Sequence, residues 1–146
     1  MKNDFIDEAF NEAKIAFDLN EVPVGAVIVK NNEIISRAHN LKRYTNNIVN
    51  HAEIIAIMAA CEKVNDWRLN GCEMYVTLEP CAMCAGAIVQ SRISKLYIGS
   101  KSNIKSNSKI IKSILQNDEY NHRVEIVYLN NKRCSQIMTD FFENKR

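Results

Sequence analysis

The chain has 146 residues, of which 47% are hydrophobic and 25% charged, with a net charge of +2. That is the balance of a soluble globular protein, and the length suits a single domain, residues 1–146, with one core. No apolar run approaches the ~20 residues that cross a bilayer, and Met1-Lys2-Asn3-Asp4 leads into an acidic amphipathic stretch, not a signal peptide; neither a membrane span nor export is expected, and a cytoplasmic address is. Residues 4–19 read as a helix, because Phe5, Ala9, Ala13, Ala16 and Phe17 recur at helical spacing, with Asn3 or Asp4 as its cap. Glu21-Val22-Pro23 breaks that pattern, and residues 24–29 form a continuous apolar, β-branched run expected to be a buried strand. Asn31-Asn32 supplies a tight turn, and residues 33–38 return as the second strand of a hairpin.

Residues 39–50 read as a polar loop. Residues 52–64 read as a helix apolar on most faces (Ile54, Ile55, Ile57, Met58, Cys61), and therefore buried. A third strand is expected over 73–78, a short Ala-rich helix over 81–91 and a fourth strand over 94–99. Strand, short helix, strand is the spacing of a right-handed crossover between parallel strands. A helix over 107–116, a fifth strand over 124–129 and a closing helix over 134–142 follow. The expected fold is α/β, a three-layer α/β/α sandwich around a mixed five-stranded sheet.

Five cysteines, an odd number, argue against a disulfide framework. Only Cys81 and Cys84 have metal-ligand spacing; Cys61, Cys72 and Cys134 read as buried or half-buried thiols. With His51 they make three ligands, the number that leaves a catalytic zinc one open place. Cys81 and Cys84 share one face of a helix and lie in its first turn, where the dipole and unpaired N–H groups favour thiolate. Pro80 suits the helix entry, since its missing N–H costs nothing there. Glu53, two residues beyond His51, is not needed as a ligand and is free to move protons. His51-Ala52-Glu53 followed by Pro80-Cys81-Ala82-Met83-Cys84 is the H-x-E and P-C-x-x-C signature of zinc-dependent nucleobase deaminases.

Those motifs, with residues 21–27, 75–87, Ser91-Arg92-Ile93, residues 121–126 and Asp140-Phe141-Phe142, make the chain similar nearly end to end to bacterial tRNA-specific adenosine deaminases. The zinc motif alone specifies only the cytidine deaminase superfamily. The resemblance implies a cytidine deaminase-like fold and a homodimer with one Zn2+ per subunit. It also implies hydrolytic conversion of the wobble adenosine of a tRNA anticodon to inosine. It casts His51, Cys81 and Cys84 as zinc ligands and Glu53 as the proton shuttle. Asn40 would hydrogen-bond the flipped base, and Val24, Leu78, Pro80 and Ala52 would shape the pocket.

RNA contacts would come from Lys101, Ser102, Lys105, Asn121, His122 and Arg123. Two segments depart from the family pattern. Asn47-Ile48-Val49-Asn50 stands where the family usually has Asp-Pro-Thr-Ala, and Ser102 where it usually has an aspartate that contacts the anticodon backbone.

Charge gives an independent hint of the partner. Residues 1–91 carry 8 Lys/Arg against 12 Asp/Glu, and residues 92–146 carry 11 against 5. A basic C-terminal third, with Lys101, Lys105, Lys109 and Lys112 at helical steps, suits a polyanion, although solubilising charge would look the same. Two other readings stay open: a guanine- or cytosine-type deaminase of small molecules, and a non-catalytic zinc-stabilised RNA-binding module. The basic third weighs against the first, and Glu53 against the second.

Overall fold

The structure, a computed structural model, describes residues 2–144. Eleven elements follow one another: α1 (Lys2–Asp18), β1 (Gly25–Lys30), β2 (Glu33–His39), α2 (Lys42–Thr45), α3 (Ala52–Val64), β3 (Cys72–Leu78), α4 (Ala82–Gln90), β4 (Lys95–Ser100), α5 (Asn107–Leu115), β5 (Glu125–Tyr128) and α6 (Lys132–Glu143). The strands form one five-stranded sheet in the order β2-β1-β3-β4-β5. β1 runs antiparallel to β2 and β3, whereas β3, β4 and β5 are parallel. The mixed sheet and the parallel β3-α4-β4 crossover match the sequence expectation.

Side-chain alternation sorts the sheet into two faces. Ala26, Ile28, Met74, Val76, Leu96 and Ile98 point toward α3, α4 and α5, where they meet Ala56, Ala60, Ile88 and Ile111. Val27, Val29, Tyr75 and Tyr97 point the other way, onto Ile6 and Ala9 of α1 and Cys134 of α6. The Tyr75 and Tyr97 rings stack 4.2 Å apart and 4° from parallel. Asn31 and Asn32, at φ 52° and 66°, close the hairpin with the left-handed pair that a two-residue turn requires. Gly25 permits the close approach of α1, because a Cβ there would lie 2.0 Å from the Ala9 carbonyl oxygen.

Three expectations need correction. The supposed loop over 39–50 begins with the last residue of β2 and contains the helical turn α2. Helix α1 starts at Lys2, which puts Asp4 inside its first turn instead of at the cap; the Asn3 side chain lies outside the described residues. Helix α3 is not buried all round. It turns Ala52, Glu53, Ala56 and Ala60 inward, while Ile54, Ile55 and Ile57 are half-buried and Met58 is 65% exposed. Composition made this helix apolar, but one side of it faces outward.

Candidate active site

The parallel strands β3 and β4 end at Leu78 and Ser100, and the crevice beyond such carboxyl ends is where α/β sheets bind ligands. Two helices start there. His51 is the N-cap of α3 and Cys81 the N-cap of α4, both with extended backbone (ψ 153° and 175°), and neither side chain caps its own helix. They turn toward each other instead. His51 Nδ1 lies 3.7 Å from Cys81 Sγ and 3.5 Å from Cys84 Sγ. The three donor atoms all lie within 4.8 Å of one another.

A tetrahedral zinc with bonds of about 2.3 Å to sulfur and about 2.0–2.1 Å to nitrogen needs nitrogen-to-sulfur edges of about 3.6 Å. The two observed edges bracket that value, so this soft donor set, two sulfurs and one imidazole nitrogen, fits zinc with one corner left over.

The electrostatics are those of a tightly shared cluster. A hydrogen bond from the Cys84 thiol, ahead of the one from His51, holds the Cys81 thiol down at about 4. Sharing with Cys81 and burial push Cys84 well up, and the bond to Cys81 raises His51. Glu53 is 3% exposed, and burial pushes its carboxyl up to about 7. It lies in the first turn of α3, on the inward side of that helix.

These groups open onto a pocket of about 200 Å³ lined by Val24, Asn40, His51, Glu53, Leu78 and Cys81, with Val22, Lys42, Glu79, Ser102, Ile104 and Asn107 completing it. That is below the roughly 300–1,000 Å³ of a drug-sized site and suits one flat base. Asn40 Oδ1 accepts the Ala52 N–H at 2.8 Å, which occupies one end of its amide and satisfies the start of α3. Thr77 Oγ1 accepts the Gly25 N–H at 3.1 Å and ties β1 to the end of β3.

Most of the expected site residues come together here. Ala52, Pro80 and Cys84 are buried behind the pocket surface, with the Pro80 carbonyl taking a bond from Asn107. Ser102 lines the pocket, and with Leu78 also lines a second groove of about 500 Å³ whose other residues include Lys101, Met138 and Phe142. Lys105 is exposed on the same β4–α5 segment.

Asn121, His122 and Arg123 are not brought to the pocket. Asn121 lines a separate hollow with Val89, Gln90 and Arg92 at the far end of α4. His122 Nε2 meets the Ile93 carbonyl at 2.7 Å, and Arg123 pairs with Asp118. Lys42, Ile104, Asn107 and the buried carboxylates Glu21 and Glu79 were missed by sequence reasoning. Glu79 alone had a signal, its place beside the Pro80-Cys81 motif.

A carboxylate that is not a ligand, set beside a His/Cys/Cys donor cluster at the open end of this sheet, is the arrangement of the zinc-dependent nucleobase deaminases of the cytidine deaminase superfamily. The sequence profile of the MafB19-like deaminases matches residues 2–146. The tRNA-specific adenosine deaminase of Bacillus subtilis (strain 168) is 42% identical over 143 residues, 97% of this chain and 89% of that protein. The one from Aquifex aeolicus (strain VF5) is 43% identical over 145 residues, 99% and 96% of the two chains. A structure solved in studies of A-to-I editing by tRNA:A34 deaminases shares a TM-score of 0.84 at 36% identity, covering 92% of this chain and 99% of that one. The chain belongs to the tRNA-specific adenosine deaminase family, and it also matches the profile of the MafB19-like deaminases.

Proposed function

We propose that this chain, acting as one deaminase domain over residues 1–146, converts the wobble adenosine of a tRNA anticodon to inosine. It would do so as a cytoplasmic homodimer with one Zn2+ per subunit. The observation that carries the reading is the His51/Cys81/Cys84 cluster beside buried Glu53 in a base-sized pocket, on a chain whose full-length relatives bear that name.

His51, Cys81 and Cys84 would hold the metal. When bound, zinc supplies a Lewis acid that makes a water acidic near neutral pH. Glu53 takes a proton from the attacking water and passes it to the ring nitrogen. It then takes the remaining proton of the hydroxyl now on C6 and delivers it to the amino group, so that the C6–N bond breaks, a carbonyl forms at C6 and ammonia leaves. Proton transfer of this kind is worth about 10²–10⁴ in rate. With Asn40 Oδ1 occupied by Ala52, its NH2 is left to donate to an acceptor on the base. Val24 and Leu78 supply apolar walls for the ring faces.

A base splayed out of an anticodon loop needs room for its neighbours, and the groove sharing Leu78 and Ser102 with the pocket offers it. Lys101, Lys105, Lys109 and Lys112 would meet phosphates. Ile48, Met58, Trp67 and Met83 are large apolar side chains left from 39% to 67% exposed, and a second copy would cover side chains of this kind. No helix among the described residues is long and apolar enough to cross a membrane.

The decisive experiment incubates the zinc-loaded protein with an arginine tRNA transcript whose anticodon begins with A. Inosine is expected. Its absence, with ammonia released from free guanine or cytosine, would replace this reading with the small-molecule one.

A further inference from the structure

Glu79 lies between the pocket wall at Leu78 and the Pro80-Cys81 entry to α4. The residue is 3% exposed, and among the described residues no Lys, Arg or His forms an ion pair with it. Burial works against its charge, yet bonds from neutral donors hold it below the usual carboxylate range. Oε1 accepts Asn107 Nδ2 at 2.9 Å and the Ser102 N–H at 3.3 Å. Oε2 accepts Ser108 Oγ and Tyr128 OH, both at 2.6 Å. The donors come from the β4–α5 segment, the first turn of α5 and strand β5. Asn107 Nδ2 also donates to the Pro80 carbonyl at 3.1 Å, so one amide grips both residues that precede Cys81.

The consequence is positional. Ser102, Ile104 and Asn107 form one wall of the pocket, and the metal-ligand segment forms another. The Glu79 N–H donates to the Ser100 carbonyl at 2.8 Å, at the end of β4. Beyond it Lys101 and residues 103–106 are exposed, and the bonds that reach back from this stretch to residues 79 and 80 are those of Ser102, Asn107 and Ser108. A buried carboxylate with no cation is a costly way to fill space, since an apolar side chain would do that more cheaply. It is well suited to holding several donors in one geometry.

We infer that Glu79 and Asn107 form a positioning clamp that sets the gap between the wall over 102–107 and the Cys81 segment, and so the grip on the substrate base. The inference rests on the pocket being the deamination site.

The test uses the zinc-loaded full chain and Asn107→Ala. Three quantities are read: zinc per chain, hydrogen exchange over residues 101–108, and kcat and KM separately on the tRNA transcript. Zinc stays at the wild-type ratio, exchange across 101–108 speeds by about tenfold, and KM rises about tenfold while kcat moves much less. Ser108→Ala and Tyr128→Phe, which each remove one donor from Glu79, shift both readouts the same way by smaller factors, and they carry the test if Asn107→Ala does not fold. Unchanged exchange over 101–108 overturns the clamp. So does a variant that loses zinc but keeps the wild-type KM per zinc-loaded molecule. If the wild type makes no inosine, the functional reading fails, while the exchange measurement still decides the clamp.

Discussion

His51 Nδ1 lies 3.5 Å from Cys84 Sγ across a separation of 33 residues. No local preference brings two such groups together. The contact exists because α3 and α4 lie against each other on the same face of the sheet, with Ala52, Ala56, Ala85 and Ile88 buried in one core. Their N-termini therefore arrive at one point. The two helix dipoles would disfavour a cation there, and a pair of thiolates would reverse that preference.

Removing a sulfur should thus remove the metal. Cys81→Ala and Cys84→Ala are each expected to purify with little zinc and no detectable turnover. Stripping the wild type with a chelator should lower its melting temperature, because a ligand present at about 100 times its Kd adds about 2.7 kcal/mol of stability. Metal analysis and a thermal melt check both. Full zinc in either variant would contradict the ligand assignment.

Glu53 should separate binding from chemistry. Glu53→Gln keeps nearly the same volume in a site where the residue is 3% exposed, so zinc content and melting temperature should hold. Inosine formation should fall by about 10²–10⁴, the usual worth of a positioned proton shuttle. A variant with near-normal turnover would move the proton transfer to some other group.

Much of this architecture was readable in advance, and the exceptions share a cause. Each strand and long helix announced itself through period or through punctuation such as Asn31-Asn32, and His51, Glu53, Cys81 and Cys84 stood in short motifs. Helix α2 gave no such sign, because it is held from outside: the buried carboxylate of Glu21 accepts the N–H groups of Arg43 at 3.1 Å and Tyr44 at 2.6 Å. The outward side of α3 was hidden because composition does not say which face of an apolar helix meets the sheet. Asn107 was invisible because its partners lie 27 and 28 residues away.

The Glu21 contact gives a stability prediction. Glu21 is 1% exposed, and Glu21→Ala would leave two N–H groups at the start of α2 without their acceptor. The expected cost is about 1–3 kcal/mol, read as a lower urea midpoint with an unchanged m-value. Lys42, the first residue of α2, lines the pocket, so KM should rise as well. An unaltered midpoint would show that the α2 segment stands without this cap.

Gly25 gives a sharper one. Gly25→Ala would place a methyl 2.0 Å from the Ala9 carbonyl oxygen and 2.5 Å from the Ala13 nitrogen. Both are backbone atoms of α1, so the whole helix must lift off β1. Overpacking of this kind costs about 1–3 kcal/mol or more. Soluble, wild-type-like protein with an unshifted melting temperature would mean that α1 is free to retreat.

The dimer is the last expectation, and exposed apolar side chains on α3 and in the segments before and after it make it specific. Met58 is 65% exposed, Trp67 59% and Ile48 67%, while the Arg68 guanidinium lies 5.5 Å from the centre of the Trp67 ring. Apolar side chains of this size are a poor surface to leave in water, and a second copy would cover them. Light scattering at micromolar concentration should give twice the chain mass of 16.7 kDa. Met58→Lys places a charge on the outward side of α3, where burial on association would be costly. It should shift the mass toward the monomer while zinc content stays the same, since the side chain points away from the sheet. A wild-type monomer would reject the dimer, and an intact dimer of Met58→Lys would place the contact on another surface.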